Sequence, residues 1–107
     1  MNINPFDILK NAQKIQEQMG VMQEKLGQII VTGSAGGGMA EIDMNGRLEV
    51  TAVRLAKEVV DPADIGLLQD LIKAAFSDAG DKARQAAQSE MTSLTGGLGL
   101  PPGIMGA

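Results

Sequence analysis

The chain of 107 residues contains no cysteine and no histidine. These absences exclude disulfides, thiol nucleophiles, Ser-His triads and nearly all zinc sites, since each depends on a missing residue type. Tryptophan and tyrosine are also missing, and Phe6 and Phe76 are the only aromatic residues. This composition argues against a surface that stacks on unpaired bases. The composition predicts a protein that is not an enzyme and that holds no metal or cofactor.

The chain also lacks the features of a membrane or exported protein. Its first residues have neither a basic region nor an apolar core, and no run approaches about 18 apolar residues. We therefore expect a cytoplasmic protein with no membrane partner and no small-molecule substrate.

The net charge of −4 argues against a strongly basic nucleic-acid surface.

Apolar residues recur along the first third of the chain in steps of four and three, which predicts an amphipathic helix. Asn4 suits the N-cap of this helix and Pro5 its first turn. The apolar seam packs either on the sheet of its own chain or on another helix, and the strict heptad spacing favours the second. Gly20 and Gly27, beside the seam, indicate either close approach of another backbone or simple tolerance. The seam comprises Ile8, Ala12, Ile15, Met19, Met22 and Leu26.

A small sheet is predicted next. Residues 29–32 are a short β-branched run, and residues 33–38 are predicted to be a glycine-rich loop. Residues 39–44 alternate apolar and acidic side chains, which indicates a strand with one solvated face. Asn45-Gly46 predicts a type I′ hairpin, because both turn positions need positive φ.

The returning strand is predicted over residues 47–55. Its apolar phase slips by one residue near Thr51-Ala52, which predicts a β-bulge. The middle of the chain is therefore a three-stranded antiparallel meander. Neither edge of this sheet contains proline, and open edges of that kind favour pairing with a second copy.

A second long helix is predicted after Asp61-Pro62, with Asp61 as N-cap, Pro62 at N1 and Asp64 at N3. Its first half is bulky and is expected to bury against the sheet, whereas its second half is mostly alanine. Residues 95–107 contain five glycines and two prolines and are predicted to be a flexible tail. The predicted organisation is an α+β protein of αβββα order over residues 1–94, followed by the tail 95–107. A domain this small covers its surface incompletely, which favours oligomerisation.

Two other groups of residues have the composition of chemical sites. The glycines at 33–38 resemble a phosphate-binding loop, but they connect two strands and no lysine follows, so a turn is the better interpretation. Three carboxylates on the solvated sheet face suit either a cation or acid–base chemistry, or are simply a solvated surface. For Glu41, Asp43 and Glu49 a solvated surface is the favoured interpretation, because no further motif accompanies them.

The cations give the remaining candidate site. Lys10, Lys14 and Lys25 lie within an arc of roughly 60° on the first helix, opposite the seam. Acidic residues share this face, so it is either an ordinary solvated surface or a stripe that contacts phosphates. Further candidate cations on the third strand, after it and on the second helix are Arg47, Arg54, Lys57, Lys82 and Arg84.

The chain resembles the YbaB/EbfC family of bacterial nucleoid-associated proteins over nearly its whole length. No single motif carries the resemblance, which depends on an ordered set. The matching pieces are residues 11–19, Val31-Thr32-Gly33 with the glycine-rich loop, Asn45-Gly46, Asp61-Pro62, residues 68–79, Met91 and Leu100-Pro101-Pro102-Gly103.

This resemblance implies a tweezer-like homodimer of αβββα protomers, with helices projecting from a shared sheet. It also implies binding of double-stranded DNA in the nucleoid, largely without sequence specificity, with effects on DNA conformation, nucleoid organisation and gene expression. Contacts in the family are attributed to the helices, which indicates Lys10, Lys14, Lys25, Lys82 and Arg84. The alternative is a protein-binding adaptor of DNA metabolism, which would use the tail or exposed apolar residues such as Val21 and Met91.

Overall fold

A computed structural model of the chain describes residues 4–97, with side chains as far as Ser93. The predicted αβββα order is confirmed, and one short 3₁₀ turn is added before the second helix. Residues 95–97 of the predicted tail form the end of that helix, and residues 98–107 lie outside the described part. The elements are α1 (Pro5–Gln28), β1 (Ile30–Ala35), β2 (Ala40–Asn45), β3 (Val50–Leu55), the 3₁₀ turn (Lys57–Val59) and α2 (Ile65–Gly97).

The three strands form one antiparallel sheet in the order β1-β2-β3, as the meander predicts. Asp43 pairs with Ala52, whereas the next residue, Met44, pairs with Val50. Thr51 is therefore an extra residue on β3, and the β-bulge predicted from the phase slip is confirmed.

The first strand is longer than predicted, because it includes Gly33 and ends at Ala35. Gly33 pairs with Ile42, and its Cα faces α2 so closely that a Cβ would overlap the backbone of that helix. This glycine therefore allows a helix to lie directly on the strand, and it does not form a turn. The connecting turn spans only residues 36–39, and its three glycines have positive φ.

The hairpin between β2 and β3 is not the predicted two-residue turn. The N–H of Leu48 donates to the Asn45 carbonyl (3.0 Å), and Leu48 itself has φ +66°. The longer loop forms because the Asn45 side-chain oxygen accepts the N–H groups of Arg47 and Glu49. Gly46 contacts the end of α1, since its N–H donates to the Leu26 carbonyl (2.8 Å). A Cβ at Gly46 would lie 2.8 Å from that oxygen.

The second helix begins three residues later than predicted, so Asp61 is not its N-cap. The Asp61 side chain instead accepts the N–H of Ala63 (2.9 Å) and closes a separate turn. Asp64 takes the capping position, because it precedes Ile65 and its carboxylate accepts the N–H of Leu67 (3.2 Å).

The core lies between α2 and the first two strands, and alanines form the helix side of it. Of the bulky residues in the first half of α2, Leu71 and Ile72 are partly buried and pack against this core as expected, whereas Phe76 remains 50% exposed. The fully buried residues of the helix are alanines, because Gly33 lets the helix backbone approach the sheet. At about 50 Å, α2 is more than twice as long as any strand, so its C-terminal half extends past the sheet. The buried cluster comprises Ala40, Ile42, Met44, Ala75, Ala79 and Ala83.

No residue of α1 is buried. Met22 and Leu26 are half-buried, because only the C-terminal end of α1 meets the body of the protein. The seam before that end is open to solvent: Ile15 is 56% exposed and Met19 is 62% exposed. The seam therefore does not pack on the sheet of its own chain.

Neither α1 nor α2, as far as the structure describes them, has an apolar stretch suited to crossing a bilayer.

Candidate nucleic-acid interface

The candidate interface is built on α1, whose start the sequence predicted correctly. The Asn4 side chain accepts the N–H of Phe6 (3.0 Å), and Pro5 occupies the first turn. The helix has 24 residues and is about 36 Å long. Since only its last turns are attached to the body, most of its length is available to a large partner.

Lys10 and Lys14 lie one helical turn apart on this exposed part of α1. Asp7 and Glu17 are near them in sequence, yet neither lysine forms an ion pair with any residue that the structure describes. Both ammonium groups are therefore able to contact phosphate without first giving up a carboxylate partner.

The other three predicted DNA contacts each have an acidic partner. Lys25 lies 3.8 Å from Glu90, an exposed contact that links the end of α1 to α2. Arg84 pairs with Asp81 at 2.6 Å, one turn earlier on the same helix. At these positions a phosphate competes with a carboxylate already in place.

Lys82 has two partners in the body of the protein. Its ammonium group lies 3.0 Å from the Asp78 carboxylate and donates to the Thr32 carbonyl, also at 3.0 Å. The five predicted contacts therefore do not form one surface: Lys10 and Lys14 lie on the free part of α1, and Lys82 lies beside β1.

Two further cations form no ion pair with the described residues, namely Lys57 in the 3₁₀ turn and Lys73 on α2. Lys73 was not among the candidates from the sequence. Its position off the apolar stripe of α2 is the signal that marks it as solvent-exposed. Of nine lysines and arginines, four thus keep an uncompensated charge: Lys10, Lys14, Lys57 and Lys73.

The carboxylates of the solvated sheet face are occupied by cations of the same chain. The Arg54 guanidinium forms two hydrogen bonds to Asp43, at 2.7 and 2.8 Å, and Thr32 donates a third at 2.8 Å. These bonds, with Arg54 first, lower the pKa of Asp43 to about 2. The neighbouring Asp43 carboxylate in turn raises the pKa of Arg54. Asp43 is therefore held ionised and is unsuited to donating a proton.

Glu41 and Glu49 are also paired. Glu41 lies 3.5 Å from Arg54, and Glu49 accepts from the Asn45 side chain and pairs with Arg47 at 3.1 Å. Nowhere within the described residues do three carboxylates converge as a metal site requires. Arg54 therefore pairs with Glu41 and Asp43 across β2 and β3, whereas Arg47 and Glu49 pair within the hairpin loop.

Fold and site together define a small α+β protein in which a long, largely unsupported helix presents unpaired cations. A sequence profile of the YbaB/EbfC DNA-binding family matches residues 1–98. The chain belongs to this family, which is a family of DNA-binding proteins and not of enzymes.

Several relatives share most of the chain. A protein named "Nucleoid-associated protein" from Dictyoglomus thermophilum is 44% identical over 101 residues, which cover 94% of this chain and 97% of the relative. One with the same name from Chloroflexus aurantiacus is 46% identical over 96 residues, covering 90% and 96%. An uncharacterized protein of Helicobacter pylori has a similar crystal structure, with a TM-score of 0.68 at 16% identity, covering 91% of this chain and 98% of the other. That likeness concerns the fold alone.

Proposed function

We propose that this chain is a nucleoid-associated protein that binds duplex DNA as a homodimer, through the face of α1 that carries Lys10 and Lys14. The observation that carries the proposal is that these two lysines are exposed and unpaired on a helix that leaves the body of the protein. Membership of a DNA-binding family and the names of the relatives support it.

The homodimer is supported first by how little the single chain buries. Among the described residues, the buried hydrophobic side chains larger than alanine are Ile42, Met44 and Val59. Meanwhile most of the seam of α1 is exposed. A soluble protein rarely leaves this much contiguous apolar surface without a partner.

The sheet supports the same conclusion. Val53 pairs with Ile42 across the strands, so both side chains lie on the same face of the sheet. Ile42 is buried beneath α2, whereas Val53 is 53% exposed, because α2 lies over β1 and β2. A second copy would cover the β3 half of this face and the seam of α1.

Binding through these lysines is expected to be largely independent of sequence. Contacts to phosphate fix position on the duplex but do not read base edges. A homodimer offers Lys10 and Lys14 twice, on two helices attached to one body. Contacts at two separate places allow the protein to change the path of the DNA between them. On this basis we propose effects on nucleoid organisation and gene expression.

Salt dependence tests the proposal. Four lysines per dimer that neutralise about four phosphates give a slope of log K against log salt near −3.6. Affinity should then fall roughly 150-fold between about 50 and 200 mM salt. Fluorescence anisotropy with two labelled duplexes of unrelated sequence measures this slope, and both duplexes should give the same value. Absence of binding at the lower salt, with micromolar dimer, would refute DNA binding.

A single substitution tests the surface. Lys14→Gln removes two phosphate contacts per dimer, so the slope should become less steep by about 1.8. Lys73→Gln is the matched control, because it removes the same charge from another exposed lysine without an ion pair. If the two variants weaken binding equally, α1 is not the contact surface. If Lys14→Gln binds as the wild type does, Lys14 makes no phosphate contact.

Docking on another protein is the second candidate function. Val21 is an apolar residue on the polar side of α1 and is 48% exposed. It belongs neither to the core nor to the seam, so neither explains an apolar side chain at this position. A protein captured by the wild type after nuclease treatment, and lost with Val21→Gln, would favour this function. Capture that nuclease abolishes would favour DNA binding.

A further inference from the structure

The two edges of the sheet differ, although neither contains proline. An edge strand presents N–H and C=O groups that can pair with a strand of another chain. In an antiparallel strand, alternate residues direct both backbone groups to the same side. On β1, Thr32 and Ser34 are such alternate residues, and their backbone groups face away from β2.

Side chains of α2 occupy two of these outward groups. The Ser34 N–H donates to the Asp78 carboxylate (3.0 Å), and the Thr32 carbonyl accepts from the Lys82 ammonium (3.0 Å). Asp78 and Lys82 lie one turn apart and pair with each other at 3.0 Å. The Ser34 N–H, followed by Lys82, lowers the pKa of Asp78, so this carboxylate remains an acceptor at neutral pH.

The two side chains thus supply one acceptor and one donor to β1, at two of the four outward groups of Thr32 and Ser34 that a neighbouring strand would bond. The position of α2 makes this possible, because Gly33 holds the helix directly against β1. On the opposite edge, no side chain of the described residues forms a hydrogen bond with the backbone of β3.

We propose that Asp78 and Lys82 close the β1 edge against strand addition by a second copy of this chain. Pairing at β1 requires both side chains to leave their backbone partners, which β3 does not require. Sheet-mediated association between copies is therefore directed to β3, and β1 does not extend the sheet. This role concerns assembly and does not depend on DNA binding.

The test compares two double substitutions on α2 that each leave the net charge unchanged. Asp78→Ala with Lys82→Ala removes both edge contacts, whereas Asp81→Ala with Arg84→Ala removes an exposed ion pair from the same helix. Light scattering after size exclusion, over a range of protein concentrations, measures the mass of each. We expect species larger than wild type only for the first variant, with a share that grows with concentration. Equal masses for wild type and both variants would overturn the proposal.

Hydrogen exchange at the Ser34 amide locates the effect. In the smallest species of the Asp78/Lys82 variant this amide should exchange at least tenfold faster than in the control, and it should regain protection in the larger species. Larger species in which Ser34 stays unprotected would overturn the proposal.

An acid titration of the wild-type protein tests the role of Asp78 without any substitution. The amide resonance of Ser34 should shift as acid protonates Asp78. If that resonance stays constant through the titration, Asp78 does not hold the edge.

Discussion

Replacement of Gly33 by alanine tests the packing on which the fold depends. The added Cβ would overlap the backbone nitrogen of Ala79 and the carbonyl oxygen of Ala75, and it would lie 2.6 Å from the Ala79 Cα. All three atoms belong to the backbone of α2, so a change of rotamer cannot make room. The helix must move away from β1, and this opens the contact between the buried alanines of α2 and the sheet.

The magnitude follows from these contacts. Overpacking by a single methyl group in a rigid site destabilises by about 1–3 kcal/mol. The clash is with backbone, and Ala75 and Ala79 are fully buried, so we expect the upper end, about 3 kcal/mol. That is a large share of the roughly 5–15 kcal/mol that holds a small domain folded. The contacts of Asp78 and Lys82 with the β1 edge should weaken as α2 moves away from β1, because both side chains belong to that helix.

Urea unfolding followed by circular dichroism at 222 nm measures the loss, at one fixed protein concentration because association adds to stability. Gly20→Ala is the control, since a Cβ there meets nothing within 4 Å. It should stabilise by about 1 kcal/mol through helix propensity alone. A Gly33→Ala protein with the urea midpoint of the wild type would refute the close packing of β1 on α2. A Gly20→Ala protein that loses stability would show that another backbone approaches α1 there.

Two further predictions concern acid and the hairpin. Because the pKa of Asp43 is lowered to about 2 from 3.8, its ionised form stabilises the fold above about pH 4, and this contribution is lost as pH falls through 2. Asp43→Asn should therefore flatten the dependence of the urea midpoint on pH between pH 4 and 2, and an unchanged dependence would contradict the role of the Arg54 pair. Leu48→Gly should raise the free energy of unfolding by about 0.5–1 kcal/mol, because glycine adopts the positive φ without the strain of a Cβ. A loss of stability in the same urea assay would show that the leucine side chain makes a contact that outweighs this strain.

Local signals in the sequence predicted the order of the elements, but not the form of the β2–β3 hairpin or the first residue of α2. The heptad seam with Asn4 and Pro5 indicated α1, and the slip of phase near Thr51 indicated the bulge, because each depends only on neighbouring residues. The sequence predicts a loop at Gly33, because this residue precedes more glycines. Its actual role, contact with α2, involves residues more than 40 positions away and leaves no local pattern.

The same limit applies to the candidate interface. Helical periodicity was enough to place Lys10 and Lys14 on one face, but it could not show which cations already have partners. Lys82 looked like any exposed lysine of a helix. Its bond to the Thr32 carbonyl joins residues 50 positions apart, so only the packing of α2 on β1 reveals it.

The net charge of −4 does not by itself exclude DNA binding. Screening limits each charge to about 8–10 Å at physiological salt, so carboxylates elsewhere on the chain have little effect on a phosphate at α1. The three carboxylates of the sheet face are moreover ion-paired with Arg47 and Arg54, which offset two of their three charges. What a phosphate meets at α1 is Lys10 and Lys14, with Asp7 and Glu17 beside them. The affinity for DNA therefore comes from flexible lysines that reach the phosphate while the shorter acidic side chains stay in solvent. Each such contact is expected to be weak, so binding requires the doubled set of contacts that a dimer provides.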